Sequence, residues 1–347
     1  MLSEKDIQDF MNLTYENRDL SGMVDYAQTE QNYSLYNFLT ANPKTFDGGS
    51  KFEFRIMYQT NDTVVPAGLY ELETYSQRDK TIKAEIDIRK YKNSGILDYR
   101  ELALQGKEAA VSRIVEEKMS MALDWARTMN NYMWGSPTNT GDTTSMHGIG
   151  YWIQTSETAG FNGGNPSAFP LGRAGVDSTT YDNAQNYTDH ATVIDDSDLI
   201  PRIEMATRKI NFQSVMNFKK PEFSSSKRIF ASDGVIEPLK KVLKDSNMNV
   251  GTALSLSGPN LIFGSVPVVW APGLDVRRAA QSDTDEYMYF LDTASLRLAA
   301  IKGFLNKMRK PRELSDRPYC YGFRQDSMCN VICTDLRKQA VITIDAQ

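Results

Sequence analysis

Apolar and charged residues alternate strictly in two segments of the first hundred positions. Residues 51–58 read KFEFRIMY and residues 81–89 read TIKAEIDIR. A period of two is typical of a half-buried β-strand, because successive side chains of a strand point to opposite faces. We predict that the two segments pair as a long β-hairpin with residues 59–80 at its tip. An isolated hairpin is marginally stable in water, so we expect this one to lie against another surface. Its apolar positions, tip included, contain Phe54, Ile56, Tyr58, Tyr70, Ile82, Ile86 and Ile88.

The longest periodic pattern covers residues 107–134. It contains no Pro or Gly, and apolar residues, Trp125 among them, recur every three or four positions. This spacing predicts an amphipathic α-helix about 42 Å long, bounded by Gly106 and Gly135. Pairs of opposite charge on its surface contribute only ~0.2–0.5 kcal/mol each. We therefore expect burial of the apolar stripe to stabilise the helix.

The second half of the chain alternates between loop, helix and strand patterns. Residues 135–190 are rich in turn-forming residues and predict a long loop region, within which the apolar stretch 149–153 is interpreted as a short strand. Residues 199–210 then have a helical stripe after the capping sequence Asp196, Ser197, Asp198. The other predicted elements are strands at 228–232, 260–263, 266–270 and 286–291, a helix that begins at Asp233, a helix or strand within 296–308, and a small antiparallel sheet from 319–323, 328–333 and 340–344.

Composition limits the class of protein. The chain has 347 residues, with 39 Lys and Arg against 44 Asp and Glu, and a net charge of −5. That balance argues against a folded domain dedicated to binding nucleic acid. The length suggests two domains, or one core with long excursions, and no run of about 18 apolar residues predicts a membrane span. The first residues, MLSEKD, are acidic and polar where a secretory signal is basic and then apolar, so we expect an intracellular protein.

Charge is distributed unevenly along the chain. The first 32 residues contain seven acidic side chains against Lys5 and Arg18, and they have no sustained apolar stripe. We expect residues 1–45 to form an arm that becomes ordered on a partner surface. Residues 302–324 are predominantly basic. Three interpretations of them stay open: contact with nucleic acid, pairing with an acidic arm, or a solvated, ion-paired face.

No motif for catalysis or metal binding is complete. Histidine, the commonest general acid or base near neutral pH, occurs only at His147 and His190. The sequence HGIG at 147–150 is similar to an oxyanion loop, but the Gly-x-Ser-x-Gly elbow that accompanies such a loop is absent. Three cysteines without a nearby histidine do not make a zinc site, and Cys329 and Cys333 fit the pattern of small core residues. We expect no catalytic residue, metal or cofactor, and predict that the protein is not an enzyme.

The order of these patterns is more informative than any single motif. NNYMWG at 130–135 leads to HGIGYWI at 147–153, a strand and helix follow at 227–245, FGSVPVV follows at 263–269, and alternating strands close the chain at 333–344. In this order the chain resembles the major capsid proteins of tailed bacteriophages, which have the α+β Hong Kong 97-like fold. The resemblance implies an N-terminal arm (1–45), an extended β-hairpin loop (46–105), a peripheral domain with a spine helix and a loop insertion (106–189, helix 107–134), an axial α/β domain (190–305) and closing strands of the peripheral domain (306–347).

The resemblance also implies a structural function. Such a protein assembles with copies of itself, in the host cytoplasm, into the pentamers and hexamers of an icosahedral head that encloses double-stranded DNA. The implied partners are separate scaffolding, portal and decoration proteins, with weak, non-specific contact to the packaged DNA. No N-terminal scaffolding domain is recognisable, and no motif locates a Lys–Asn crosslink, for which Lys80 and Lys83 are only candidates.

The arm and hairpin have no core of their own, so we expect neighbouring copies to cover them. The candidate contact residues between subunits are Phe54, Ile56, Tyr58, Tyr70, Ile82, Ile86, Ile88 and Trp125. Two alternatives from the sequence are the shell of an encapsulin-like protein nanocompartment and an α/β enzyme of unknown chemistry. A tail or decoration protein is a third.

Overall fold

A computed structural model describes residues 33–58, 66, 79–98, 100, 107–210, 226–245, 254–257, 260–263, 266–281 and 284–345. In these residues the helices are α1 (Ser34–Thr40), α2 (Lys107–Trp134), α3 (Ile149–Trp152), α4 (Leu199–Lys209), α5 (Asp233–Asp245) and α6 (Pro272–Gln281), with 3-10 turns at Asp182–Ala184 and Leu336–Lys338. The strands are β1 (Lys44–Phe46), β2 (Lys51–Met57), β3 (Thr81–Asp87), β4 (Arg89–Asp98), β5 (Gly160–Gly163), β6 (Asn186–Ala191), β7 (Lys227–Ala231), β8 (Leu254–Ser257), β9 (Asn260–Phe263), β10 (Val266–Trp270), β11 (Glu286–Asp292), β12 (Leu296–Ile301), β13 (Lys307–Leu314), β14 (Arg317–Cys333) and β15 (Ala340–Ile344).

Several elements confirm the local predictions. Helix α2 has the predicted bounds, and Met129 and Met133 of its apolar stripe are buried. The predicted hairpin is present, since β2 and β3 pair antiparallel along their whole length. Helix α4, the strand–helix pair β7–α5 and the strands β9, β10 and β11 also lie where the sequence pattern places them.

The long strand β14 forms the axis of a five-stranded sheet. It pairs antiparallel with β4 on one side and with β12 and β13 on the other, and β1 extends the sheet by pairing parallel with β12. One face of this sheet lies under α2. Asn93 donates from Nδ2 to the Met121 carbonyl at 3.0 Å. At Gly95 a Cβ would lie 2.7 Å from Met121 Sδ, so glycine allows the close approach of strand and helix.

A second, eight-stranded sheet has the strand order β5-β6-β15-β11-β7-β10-β9-β8. It is mixed, because β15 runs parallel to β6 while β11 runs antiparallel to both β15 and β7. Its core contains Ile203 of α4, Leu239 of α5, Phe290 and Ile342. The two sheets and the helices on them form the mixed α and β architecture that the sequence predicts.

The stretch at 149–153 was expected to be a strand, and this prediction is wrong. Residues 149–152 form the short helix α3, and Ile149, Tyr151 and Trp152 are all 2% exposed or less. A short apolar run that is buried on all sides has no alternation, so its pattern does not separate helix from strand. Only the surrounding structure decides between them.

The prediction of a small antiparallel sheet at the C-terminal end is also wrong. Residues 317–333 form one continuous strand, β14, and residues 340–344 leave it to join the other sheet beside β11. Residues 296–301, which fitted a helix or a strand, are the strand β12 in the sheet of β14. A local pattern can indicate a strand, but it does not specify which strand lies beside it.

The expected arm ends earlier than residue 45. Helix α1 packs into the main core, with Leu35 0%, Phe38 6% and Leu39 1% exposed, and the Phe38 ring centroid lies 5.6 Å from that of Phe230. Positions 35, 38 and 39 share one face of a helix, and that face is covered by α2 and β12. An arm is therefore excluded from residue 34 onward, and residues 1–32 lie outside the described part of the chain.

Candidate functional site

The base of the β2–β3 hairpin (51–58 and 79–87), here called the hairpin root, is covered by the loop 166–184 of its own chain. The backbone N–H of Glu85 donates to the Ala174 carbonyl at 3.0 Å. The ring centroids of Tyr58 and Tyr181 lie 4.7 Å apart, and Asn183 donates from Nδ2 to the Tyr58 carbonyl at 3.0 Å. The surface against which we expected the hairpin to lie is, at its base, the chain's own loop.

A buried arginine holds this loop in place. The guanidinium of Arg173, which is 2% exposed, donates to the carbonyl of Trp152 and to Asn186 Oδ1 at 3.1 Å. It also donates to the carbonyls of Gly163, Gly164 and Ala184. Burial lowers the pKa of Arg173 to about 10, so the side chain stays charged at neutral pH. One cation thus joins helix α3 to both ends of the loop.

The exposed face of the hairpin root has a ladder of alternating charge. Glu53 and Glu85 are directly opposite each other, and Lys83 Nζ lies 2.9 Å from Glu53 and 2.8 Å from Glu85. Lys51 Nζ lies 3.1 Å from the other oxygen of Glu85. The hydrogen bond from Lys83, and then that from Lys51, hold the pKa of Glu85 below its ordinary value. Lys83, one of the crosslink candidates, is therefore ion-paired within its own hairpin, and Lys80 is exposed beside it.

His147 belongs to a buried hydrogen-bond network rather than to a reactive pair. Asn330 Oδ1 accepts from the backbone N–H of His147 at 3.0 Å and from that of Val331 at 2.9 Å. Its Nδ2 must then donate, to the Asp87 carbonyl at 2.7 Å and to His147 Nδ1 at 2.9 Å. The ring nitrogen Nδ1 is thus an acceptor, so the imidazole is neutral with its proton on Nε2. Burial, and then the nearby Arg89, lower the pKa of His147 to about 4.

We predict that this network makes the subunit less stable in acid. The unfolded imidazole binds a proton near pH 6.5, whereas the folded one does so only near pH 4. Between these values the unfolded state binds more protons, so the free energy of unfolding decreases as the pH falls, by about 3 kcal/mol from this residue. Urea unfolding at several pH values should show a shallower decrease for His147→Gln. The matched control is His190→Gln, and equal slopes for His147→Gln and the unmodified chain would contradict the assignment.

The other candidate groups for chemistry are structural. Burial raises the pKa of the Cys329 and Cys333 thiols to about 12, so both stay protonated and unreactive. The residue Asp198 accepts from the backbone N–H groups of Thr192 and Val193 and pairs with Arg202 at 2.5 Å, so it anchors the start of α4. No group of three His, Cys, Asp or Glu side chains suited to a metal ion occurs among the described residues.

The candidate contact residues from the sequence are mostly used inside their own chain. Tyr70 lies outside the described residues. Of the others, Phe54, Ile86 and Trp125 are buried, Ile56, Ile82 and Ile88 pack partly buried against the same core, and Tyr58 packs on Tyr181. Contact with a neighbouring copy stays a prediction for these positions, and only their remaining exposed atoms are available for it.

Two exposed apolar side chains near the hairpin root were not predicted as contact residues. Leu171 is 80% exposed at the tip of the covering loop, and Met57 is 65% exposed at the end of β2. The sequence contains a signal for Met57, because it is an apolar residue on the otherwise charged face of an alternating strand. Leu171, between Pro170 and Gly172 in a turn, has no such periodic signal.

None of the described helices combines the length and apolar composition needed to cross a membrane. No protein-family model matches the chain, and no curated protein matches it in sequence. Its three-dimensional structure, however, is similar over nearly the whole length to known capsids. The capsid asymmetric unit of cyanophage A-1(L) covers 97% of this chain and 99% of its own, with a TM-score of 0.59 and 14% identity.

Two further capsids agree with this result. The capsid of a native GTA particle covers 94% of both chains with a TM-score of 0.59 and 11% identity. The capsid of the Myoviridae phage XM1 covers 99% of this chain and 98% of its own, with a TM-score of 0.53 and 12% identity. The predicted phage-capsid fold is therefore confirmed.

Proposed function

We propose that this chain is a major capsid protein that assembles with copies of itself into the pentamers and hexamers of an icosahedral phage head around double-stranded DNA. The observation that supports this most strongly is the end-to-end similarity to a capsid subunit, which covers 97% of one chain and 99% of the other. A subunit that shares only a sub-domain with a capsid protein would not align over both whole chains. Its place would be the capsid of the virion, after assembly in the host cytoplasm.

The structural parts take the following roles in this proposal. Helix α2 is the spine helix, and together with the sheet of β14 it forms the peripheral domain. The eight-stranded sheet with α4 and α5 forms the axial domain, which then includes β5 and β15 as well as most of residues 190–305. The hairpin root leads into the extended loop. Head-to-tail contacts between such subunits are heterologous, and heterologous contacts close into rings.

Other partners follow from the same proposal. A separate scaffolding protein, a portal and decoration proteins would join the shell. Contact with packaged DNA would be weak, non-specific and salt-dependent, because the chain has a net charge of −5.

The direct test is the assembly state of the expressed chain. We expect closed shells of uniform diameter in negative-stain micrographs and a sedimentation coefficient far above that of a monomer. A compact monomer or dimer by light scattering, under conditions that keep the chain folded, would contradict the proposal and favour the α/β enzyme alternative. Rings or trimers without closed shells would indicate a tail or decoration protein.

The contents of the shells separate a phage head from a nanocompartment. Nuclease-protected DNA in shells produced together with the neighbouring phage genes supports the phage head. A co-purifying protein cargo in place of DNA would support the encapsulin-like alternative.

A further inference from the structure

The sheet of β14 has two faces of different chemistry. Tyr321, Phe323 and Gln325 of β14 are buried on the side of α2. The alternate residues face the opposite side, where Arg324 lies between Ser94 of β4 and Arg309 of β13. Directly paired residues of adjacent strands share a face. Three strands therefore contribute side chains to one exposed surface.

This surface, here called the basic face, is strongly cationic. Its basic residues are Lys90, Lys92, Lys307, Arg309, Arg312 and Arg324. Two carboxylates occupy register positions of this face. Asp326, in the row of Lys92 and Lys307, pairs with Arg309 at 2.8 Å, and Asp98, opposite Cys320, pairs with Arg100 at 2.9 Å. A cavity of about 320 Å³ opens beside Arg312 and Arg324, and Lys310 and Glu313 also line it.

The arrangement is unfavourable in an isolated subunit. Arg309 and Arg324 are directly opposite each other, and like charges at directly opposed positions destabilise a sheet. Only part of this repulsion is relieved by Asp326. A surface of this kind becomes more stable when it binds an anionic group.

We propose that the basic face binds the acidic N-terminal segment, residues 1–32, of a second copy of the chain. This segment contains Glu4, Asp6, Asp9, Glu16, Asp19, Asp25 and Glu30 against two basic residues, a net charge of −5. The basic face, with six cations against Asp98 and Asp326, has a net charge of the opposite sign. The inference rests on the proposed function, because a shell places many copies side by side and raises the effective concentration of each segment.

The position of α1 indicates that the segment on the basic face comes from a neighbouring copy rather than from the same chain. Tyr36 of α1 accepts at its hydroxyl from Asn306, and its backbone N–H donates to Asn130 of α2 at 3.1 Å. Residue 33, at which the described chain begins, therefore lies on the α2 side of the sheet, while the basic face is on the other side. The chain's own segment would have to pass around the sheet edge, whereas 32 extended residues span up to about 105 Å and reach an adjacent subunit directly.

Double-stranded DNA is the competing polyanion, and the observations favour the protein segment. Residues 1–32 account for the whole net charge of −5, so DNA that approaches the basic face must compete with an acidic segment already attached to the subunit. The acidic segment is covalently present in every copy and is opposite in charge to the face.

Charge reversal on both partners tests the proposal. We expect the pair Lys92→Glu with Arg324→Glu, and separately Asp6→Lys with Asp9→Lys, to reduce the yield of sedimenting particles by at least tenfold. The combined variant, in which both charges are reversed, should recover most of that yield. A matched control is Lys302→Glu, an exposed lysine outside the basic face. Particle yields that are unaffected by either pair, or a combined variant no better than the single pairs, would overturn the inference.

Zero-length carbodiimide cross-linking identifies the copy that donates the segment. In one chain the acids of residues 1–32 are replaced by their amides, and in the other Lys90, Lys92, Lys307 and the adjacent Lys310 are replaced by Gln. Neither chain alone can then form a cross-link between segment and face, so a cross-link from the co-expressed pair joins two copies. Its absence, when the unmodified chain cross-links, would show that each face binds its own segment and would overturn the assignment.

The remaining outcomes separate this inference from the proposed function. Charge reversal that removes DNA from the particles, but leaves their yield and the cross-links unchanged, overturns the inference in favour of DNA. Cross-links between copies without closed shells would contradict the proposed function and keep the inference. Closed shells that lack these cross-links would support the proposed function and contradict the inference.

Discussion

A chain that lacks residues 1–32 should fold and fail to assemble, whereas one that lacks residues 1–40 should not fold. The longer deletion removes Leu35, Phe38 and Leu39, which are 0%, 6% and 1% exposed in the main core. Each such loss costs about 2–5 kcal/mol, and a typical domain has only about 5–15 kcal/mol of stability in total. Circular dichroism and the denaturant midpoint measure folding, and sedimentation measures assembly.

Point variants in α1 provide the control for this pair of deletions. Leu39→Ala should lower the free energy of unfolding by about 2–5 kcal/mol, because it leaves a cavity in the core. Asn37→Ala, at an exposed position of the same helix, should change it by less than about 0.5 kcal/mol. A chain without residues 1–40 that unfolds at the same denaturant concentration as the full chain would show that α1 belongs to the arm after all.

The replacement Ile86→Asp should detach the hairpin root from its own subunit. Ile86 is 3% exposed and lies opposite Phe52, which is fully buried. An unpaired carboxylate at this position costs several kcal/mol, so we expect the free energy of unfolding to fall by at least about 3 kcal/mol. Hydrogen exchange should accelerate along β2, β3 and the loop 166–184. Assembly should fail as a consequence.

The matched control is Thr81→Asp, an exposed position on the same strand. It should change the unfolding free energy by less than about 0.5 kcal/mol. If Ile86→Asp blocked assembly while its stability stayed at that of the unmodified chain, Ile86 would act at a contact between copies, as the alternation pattern alone suggests. Stability and assembly measured on the same samples separate the two roles.

The elements that were predictable from the sequence are those whose signal is local and long. Helix α2 repeats its apolar spacing over 28 residues, so both its ends and its buried side were predictable. The hairpin root was predictable because its two strands alternate with the same period and pair along seven residues. Helix α3 was not predictable, because its four residues are too few to show either a helical or a strand period.

The candidate site was less predictable than the fold. The sequence contained the alternating apolar residues of the hairpin, but not the fact that Arg173 and its loop cover them. It contained a basic run at 302–324, but not the contribution of Lys90 and Lys92, which lie more than 200 positions earlier. Strand β14 brings these residues together by pairing with β4 and β13 at once.

By itself the sequence determined the order of the long helix, the hairpin and the main strand–helix elements, the resemblance to phage capsids, and the acidic character of residues 1–32. Only the tertiary structure decided that α1 lies in the core, that β14 and β15 belong to different sheets, and that six cations share one face. The physical reason is that periodicity reports which side of an element is buried, while the identity of the neighbour depends on hydrogen bonds and packing between residues far apart in the chain.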